Sequence, residues 1–294
     1  MKRIFLFIVT NLAVLALLTL VVFIIEQVFG VRLAGGSLSG LLVFAAIFGF
    51  GGALISLALS KWTAKRTMGV RVITAPQSDV EQWLLATVAR LAGQVHVGMP
   101  EVGIFEAVEM NAFATGARRN AALVAVSSGL LRSMSREQIE AVLGHEMSHV
   151  ANGDMVTLAL LQGVLNTFVI FLARIIGSFV DRALLKNDRD DSGIGFFLTT
   201  MVAQIVLGIL ASMIVSWYSR RREFRADRGG ADLAGTGSMV GALQVLKRSQ
   251  GEPMPPQMQA FGINTGSAEG FMRLFMSHPP LDERIAALQS QVGR

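Results

Sequence analysis

The sequence predicts a mainly α-helical membrane protein, with four transmembrane helices and one polar α+β domain assembled from two chain segments. Three observations predict it. Mean hydropathy is +0.53 and 16% of residues are charged, where a soluble domain carries about 25%. Residues 4–25, 33–60, 155–173 and 192–219 are long and almost free of charge. Between the second and third of these lies Gly144-His145-Glu146-Met147-Ser148-His149, an H-E-x-x-H sequence in a segment patterned as a helix.

Each apolar stretch is near or above the roughly 20 residues that a membrane-spanning helix needs. A buried core helix is the alternative. It is strongest for residues 155–173, which are polar at Gln162 and Asn166 and are followed by Arg174. The first stretch follows Lys2 and Arg3 as a signal peptide would. Its apolar run is too long for that, and a second run follows closely, so it reads as a retained anchor.

Basic residues orient the spans. Lys2 and Arg3 precede the first, Lys61, Lys65, Arg66 and Arg71 follow the second, and Arg220, Arg221, Arg222, Arg225 and Arg228 follow the fourth. The first outer loop carries only Arg32, and the second, around 174–191, mixes both signs. Lys and Arg gather on cytoplasmic flanks, so both termini and the polar domain are expected in the cytoplasm. The +5 net charge sits beside the apolar stretches, where it meets lipid head groups rather than nucleic acid. With no cysteine, no disulfide framework exists.

Within the polar segments, Asp79 reads as the cap of a helix running to about Ala92, with apolar Val80, Trp83, Leu84, Val88 and Leu91 at helical spacing. Residues 101–127 read as extended and turn-rich, punctuated by Gly103, Gly116 and Asn120. Ser135 and Gln138 form a capping-box signature ahead of the H-E-x-x-H helix. Gly153-Asp154 marks that helix's end or a kink. Residues 249–270 read as a flexible loop and Pro280 to Val292 as a closing helix.

On a helix, positions i and i+4 share a face about one turn apart. His145 and His149 can therefore direct two imidazoles at one metal ion, and Glu146 can act as general base toward the attacking water. A catalytic zinc usually takes a third protein ligand. Glu223 and Asp227 also lie four apart. One could bind the metal while the other accepts a hydrogen bond from a ligand histidine and fixes its tautomer. A solvated charged helix is the plain alternative for this Arg-rich stretch. An even number of crossings separates the two segments, so both fall on one side of the membrane. His96 reads as a partly exposed strand or loop residue, and Arg220 to Arg222 as an interfacial anchor.

In order and content these features resemble the HtpX family, bacterial membrane zinc metalloproteases of the heat-shock response that are distantly related to the prenyl-protein (CAAX) endoproteases. The likeness covers the whole chain. It is carried by Gly144 to His149 with Asp154, by Glu223-Phe224-Arg225-Ala226-Asp227, by His278-Pro279-Pro280 with Arg284, and by Asn111-Ala112-Phe113-Ala114-Thr115-Gly116. The resemblance implies a zincin-like domain that holds one zinc ion per chain on His145, His149 and Glu223. It implies Glu146 as base and acid, and Asp227 as the partner of a ligand histidine. It also implies that His278, Arg284 and Asn111 contact the substrate or the developing oxyanion. The other ligand-compatible metals, Mn, Fe and Co, are not excluded by such a donor set.

The organisation that follows is an N-terminal transmembrane hairpin (1–60), a first protease segment (61–154), a second hairpin (155–219) and a second protease segment (220–294). The expected setting is the bacterial inner membrane, and the expected substrates are membrane proteins or unfolded polypeptides, with no nucleic-acid partner. Ala112 to Gly116 reads as an edge strand that pairs with an extended substrate, or else as an internal strand. A different functional class is a membrane scaffold or transport-type protein with a structural H-E-x-x-H, in which Gln162, Asn166 and Gln204 mark a pathway. Bound stoichiometric metal separates the two.

Overall fold

The computed structural model describes residues 38–183, 194–250 and 273–292. The first expected span and most of the expected loop at 249–270 fall outside them. The described residues form two compact units. One takes in the described residues up to Leu57 and those between Val156 and Val215; the other takes in Ala58–Met155 and the described residues from Ser216 on.

Among the described residues, three helices are long and apolar enough to cross a membrane: α1 (Leu38–Thr67), the stretch Asp154–Arg182 of a second helix, and Ile194–Ala234. In the first unit α1 packs on the helix that begins at Asp154. Leu38, Leu42, Ala45 and Phe171 form its buried cluster. A Cβ at Gly49 would lie 2.6 Å from the backbone nitrogen of Thr167, and one at Gly163 would lie 2.6 Å from the ring of Phe50. The two helices thus touch through positions without side chains, the small-residue packing expected between spans. Gln162 donates to Asn166 along the same helix at 3.0 Å. Arg174 does not begin a loop. The helix continues to Ala183, and the Arg174 guanidinium lies 4.6 Å from the centre of the Phe44 ring. A long stem over an aromatic face lets an arginine stay helical beside apolar neighbours.

The second unit holds a four-stranded sheet in the order β1-β2-β4-β3. Its strands are β1 (Arg71–Val72), β2 (Glu101–Phe105), β3 (Ala112–Thr115) and β4 (Leu123–Ser127). β2 and β4 run parallel, while β1 and β3 pair antiparallel at the two edges. Gly103 is not a turn residue. It lies inside β2, where a Cβ would strike Val70 at 2.4 Å. Helix α2 (Asp79–Gln94) is capped by Ser78 rather than Asp79, because the Ser78 hydroxyl accepts the Glu81 N–H and leaves Asp79 in the first turn, where a carboxylate suits the helix dipole. After β4 come the short α3 (Ser128–Ser133), α4 (Arg136–Asn152), α5 (Asp154–Ala183), α6 (Ile194–Ala234), α7 (Thr236–Gln250) and α8 (Leu281–Val292).

The core lies between the sheet and helices α2, α4 and α7. Leu84, Val88 and Leu91 of α2 meet Val102 and Val124 of the strands, Leu143 and Met147 of α4, and Ala242 of α7. This apolar bed fixes one face of α4 and leaves the face carrying the histidines toward α6. Ser249 and Gln250, expected in a loop, complete α7.

Candidate metal centre

Helix α4 starts firmly and ends sharply. Ser135 and Gln138 exchange side-chain and backbone hydrogen bonds in a full capping box. At the other end Gly153 adopts φ 70°, a left-handed conformation that costs little only for glycine. That reversal starts α5 at once and turns Asp154 back toward α4. Between these stops His145 and His149 stand one turn apart. Their Nε2 atoms are 3.2 Å apart and both residues are buried.

Helix α6 brings the third group, and glycines permit it. A Cβ at Gly229 would lie 2.1 Å from Ser148 Oγ, and a Cβ at Gly230 would lie 3.0 Å from both Ala141 O and His145 N. Ser148 folds its own hydroxyl onto Gly144 O at 2.8 Å and so keeps clear. With the backbones that close, Glu223 reaches both imidazoles. Its Oε1 is 3.3 Å from His149 Nε2 and its Oε2 is 3.5 Å from His145 Nε2. One ligand atom from each of His145, His149 and Glu223 lies within 4.8 Å of the others.

A carboxylate stands behind each histidine. Asp227 Oδ1 is 2.9 Å from His145 Nδ1, and Asp154 Oδ2 is 2.7 Å from His149 Nδ1. A proton on each Nδ1 therefore has an acceptor, which leaves the Nε2 lone pairs for a metal. The acids also raise the affinity of these rings for protons. Burial pulls the His145 pKa down, but Asp227 and Glu223 outweigh it and the net shift is upward. For His149 burial is likewise outweighed, by Asp154 and Glu223, and the pKa is pushed up to about 9.

The remaining expected residues sit in different ways. Glu146 is half-buried on α4. His278 projects from the segment before α8, and its Nδ1 is 2.8 Å from Glu223 Oε2. Arg284 is tied to the site through Asp227, and its Nη1 lies 3.8 Å from Glu223 Oε2. It is buried, and its Nε and Nη2 donate to the two oxygens of Asp227 at 2.8 and 2.5 Å, so its fork is committed to the carboxylate that orients His145. Asn111 precedes strand β3. Its side chain is exposed, and its backbone is tied to Ser127, whose N–H donates to Asn111 O at 2.8 Å. His96 is exposed in a turn with φ 54°.

The sequence reading places Asp154 at a helix end and within the family resemblance, and Arg225 in the matching motif and on the basic flank of the fourth span, with no role at the site for either. In the structure Asp154 bridges His149 and Arg225, whose Nη2 is 3.3 Å from Asp154 Oδ1. The available signal was an acid just past the glycine that ends the H-E-x-x-H helix, where a reversal returns it to the histidines. Arg225 left no comparable mark in an arginine-rich stretch.

The donor set fits zinc. Two imidazoles, whose Nε2 atoms face one point, and one carboxylate, oriented by further carboxylates and buried from bulk water, are the three protein ligands of an open zinc site. The family model for peptidase family M48 matches residues 78–292. The chain is 59% identical over 295 residues to Protease HtpX of Alkalilimnicola ehrlichii, covering 98% of each protein. It is 58% identical over 290 residues to a Protease HtpX homolog of Thiobacillus denitrificans, covering 99% of each. The crystal structure of Ste24p from S. mikatae has the same fold, with a TM-score of 0.61 at 19% identity, over 98% of this chain and 67% of that one.

Proposed function

This chain belongs to peptidase family M48 and is a membrane zinc metalloprotease, and on that premise we propose the part each residue plays. His145, His149 and Glu223 hold the ion. The observation that carries this reading is the convergence of their three donor atoms with a carboxylate behind each imidazole. Zinc bound there would polarise the scissile carbonyl and make the attacking water more acidic. Glu146, adjacent to His145, takes the proton of that water and passes it to the leaving amine. Asp227 and Asp154 hold the rings, and Arg284 holds Asp227. His278 carries the exposed imidazole at the site, placed to donate a hydrogen bond to the negative charge that develops on the substrate carbonyl.

Among the described residues, β3 ends the strand order, so its outer side has no sheet partner there. An extended polypeptide adding to that edge is the binding mode we favour. The substrates are polypeptides. Misfolded or damaged membrane proteins are the class we infer, because an active site tethered to apolar helices meets membrane-bound chains at high effective concentration. The placement of lysine and arginine supports an inner-membrane protein with its active site and both termini in the cytoplasm. The domain assignment proposed is the one given above, with the protease domain in two pieces. A scaffold or transport-type protein is not favoured. His145, His149 and Glu223 converge with a carboxylate behind each imidazole, and Gln162 and Asn166 bond each other along one helix.

The deciding test is Glu146→Ala. Full-length protein carrying it should keep one zinc per chain and lose casein cleavage. Undiminished cleavage would remove Glu146 from the mechanism. For orientation, a cysteine placed at Ser78 should resist a membrane-impermeant thiol reagent in intact cells and one at Ser192 should react. Reaction at Ser78 from outside would overturn the cytoplasmic assignment.

A further inference from the structure

Ser216, Arg220, Glu223 and Asp227 follow one another on α6 at i, i+4, i+7 and i+11, a single stripe of the helix. Every member of the stripe grips the C-terminal segment. Asp227 takes the Arg284 fork and Glu223 takes His278. The two earlier members hold backbone. Ser216 Oγ donates to Phe275 O at 3.0 Å. Arg220 Nη1 donates to Leu274 O at 3.2 Å and to Met276 O at 2.7 Å. Three successive carbonyls, ending two residues before His278, are thus fixed from α6.

We propose that Arg220, assisted by Ser216, is a positioning residue that sets His278 on the metal-site carboxylate. The His278 side chain is 64% exposed, so packing does little to hold it. Its place depends on its backbone. On the far side that backbone is stiffened by Pro279 and Pro280, with Glu283 N and Arg284 N both donating to Pro280 O. On the near side Arg220 and Ser216 supply the restraint. A planar guanidinium with donors in fixed directions can bridge two carbonyls in one geometry, whereas an ammonium is a point charge. The next residue points elsewhere, since the Arg221 guanidinium lies 4.6 Å from the centre of the Trp217 ring. The inference rests on the reading of His278 as the group that stabilises the substrate oxyanion.

The experiment uses full-length zinc-loaded protein in detergent with casein as the probe substrate, and compares Arg220→Gln, Arg220→Lys, Ser216→Ala, Arg221→Gln, His278→Ala and the Arg220→Gln/His278→Ala pair. A group displaced by about 1 Å can cost up to about 100-fold in rate, so Arg220→Gln should lower kcat about tenfold with zinc content and KM unchanged. Arg220→Lys should not restore it, Ser216→Ala should show a smaller loss, and Arg221→Gln should leave kcat intact. The double variant should be no worse than His278→Ala alone, because Arg220 acts only through His278. Independently of activity, Arg220→Gln should speed amide exchange at Leu274 to Ser277 in chelated protein and leave α4 unchanged. Additive losses in the double variant, an Arg221→Gln loss equal to that of Arg220→Gln, or unaltered exchange at Leu274 to Ser277 would each overturn the proposal. If His278→Ala alone leaves kcat intact, the reading of His278 fails, and amide exchange decides whether the latch exists.

Discussion

Helices α4 and α6 approach each other through Gly229 and Gly230, as α1 and α5 do through Gly49 and Gly163. The construction is alike in detail. In each crossing a hydroxyl residue folds back onto a glycine carbonyl one turn earlier, Ser148 onto Gly144 and Thr167 onto Gly163, both at 2.8 Å. The contents differ. The α1–α5 crossing is surrounded by Leu38, Leu42, Ala45 and Phe171. The α4–α6 crossing encloses His145, His149, Glu223 and Asp227, all buried. Close backbone approach is thus a general packing device, and it does not mark a functional site. What marks one is the use of that approach to bury ionisable groups, which is unfavourable unless each is paired. Every member of the polar crossing has a partner of opposite or titratable character.

The contrast can be broken most severely at Glu223. Glu223→Ala leaves the helix crossing free of new bulk but removes the carboxylate that, among the described residues, touches both imidazoles on the Nε2 side. Purified variant should lose its zinc by elemental analysis and with it all proteolysis. Zinc held as tightly as by the parent would refute the ligand assignment.

Next in size is Asp154→Asn. Losing a partner of this kind typically weakens metal binding about 10- to 100-fold. The effect should depend on pH, with a sign that can be worked out. The His149 pKa is raised from 6.5 to about 9, so metal-free protein gains stability from this group below about 6.5 and loses it as pH rises toward 9. Zinc competes with the same proton, so its affinity should rise over that interval. Thermal melting of chelated protein and zinc titrations should therefore move in opposite directions between pH 6.5 and 9, and Asp154→Asn should flatten both. Parallel trends would show that His149 is not the group responsible.

The smallest effects sharpen the comparison directly. Gly229→Ala and Gly49→Ala each insert a methyl where none fits, and overpacking of this kind typically costs about 1–3 kcal/mol. Both should lower the melting temperature. Only Gly229→Ala should also weaken zinc, because it separates Glu223 from the histidines. Equal zinc affinities in the two variants would mean that the glycine contact does not set the ligand geometry.

Much of the site is legible in the chain because it is periodic. His145 and His149, like Glu223 and Asp227, are pairs four apart, and a helix converts that spacing into a shared face without tertiary information. The capping box at Ser135 and the three described apolar helices were legible for the same local reason. Arg284 was legible as a basic residue near the site but not as the holder of Asp227, because two segments far apart in sequence meet only after folding. Asn111 was legible only through the family pattern, and its side chain is exposed.

By itself, then, the sequence determined the apolar helices, the H-E-x-x-H pair and the candidate third ligand, since composition and helical period are properties of neighbouring residues. The tertiary structure alone decided which acid serves which histidine. Asp227 reaches His145 because α6 crosses α4 at glycines, and Asp154 reaches His149 because Gly153 reverses the chain. It alone decided, too, that Arg220 grips the backbone ahead of His278. Hydrogen bonds of about 3 Å are selected by three-dimensional approach, which no one-dimensional spacing encodes.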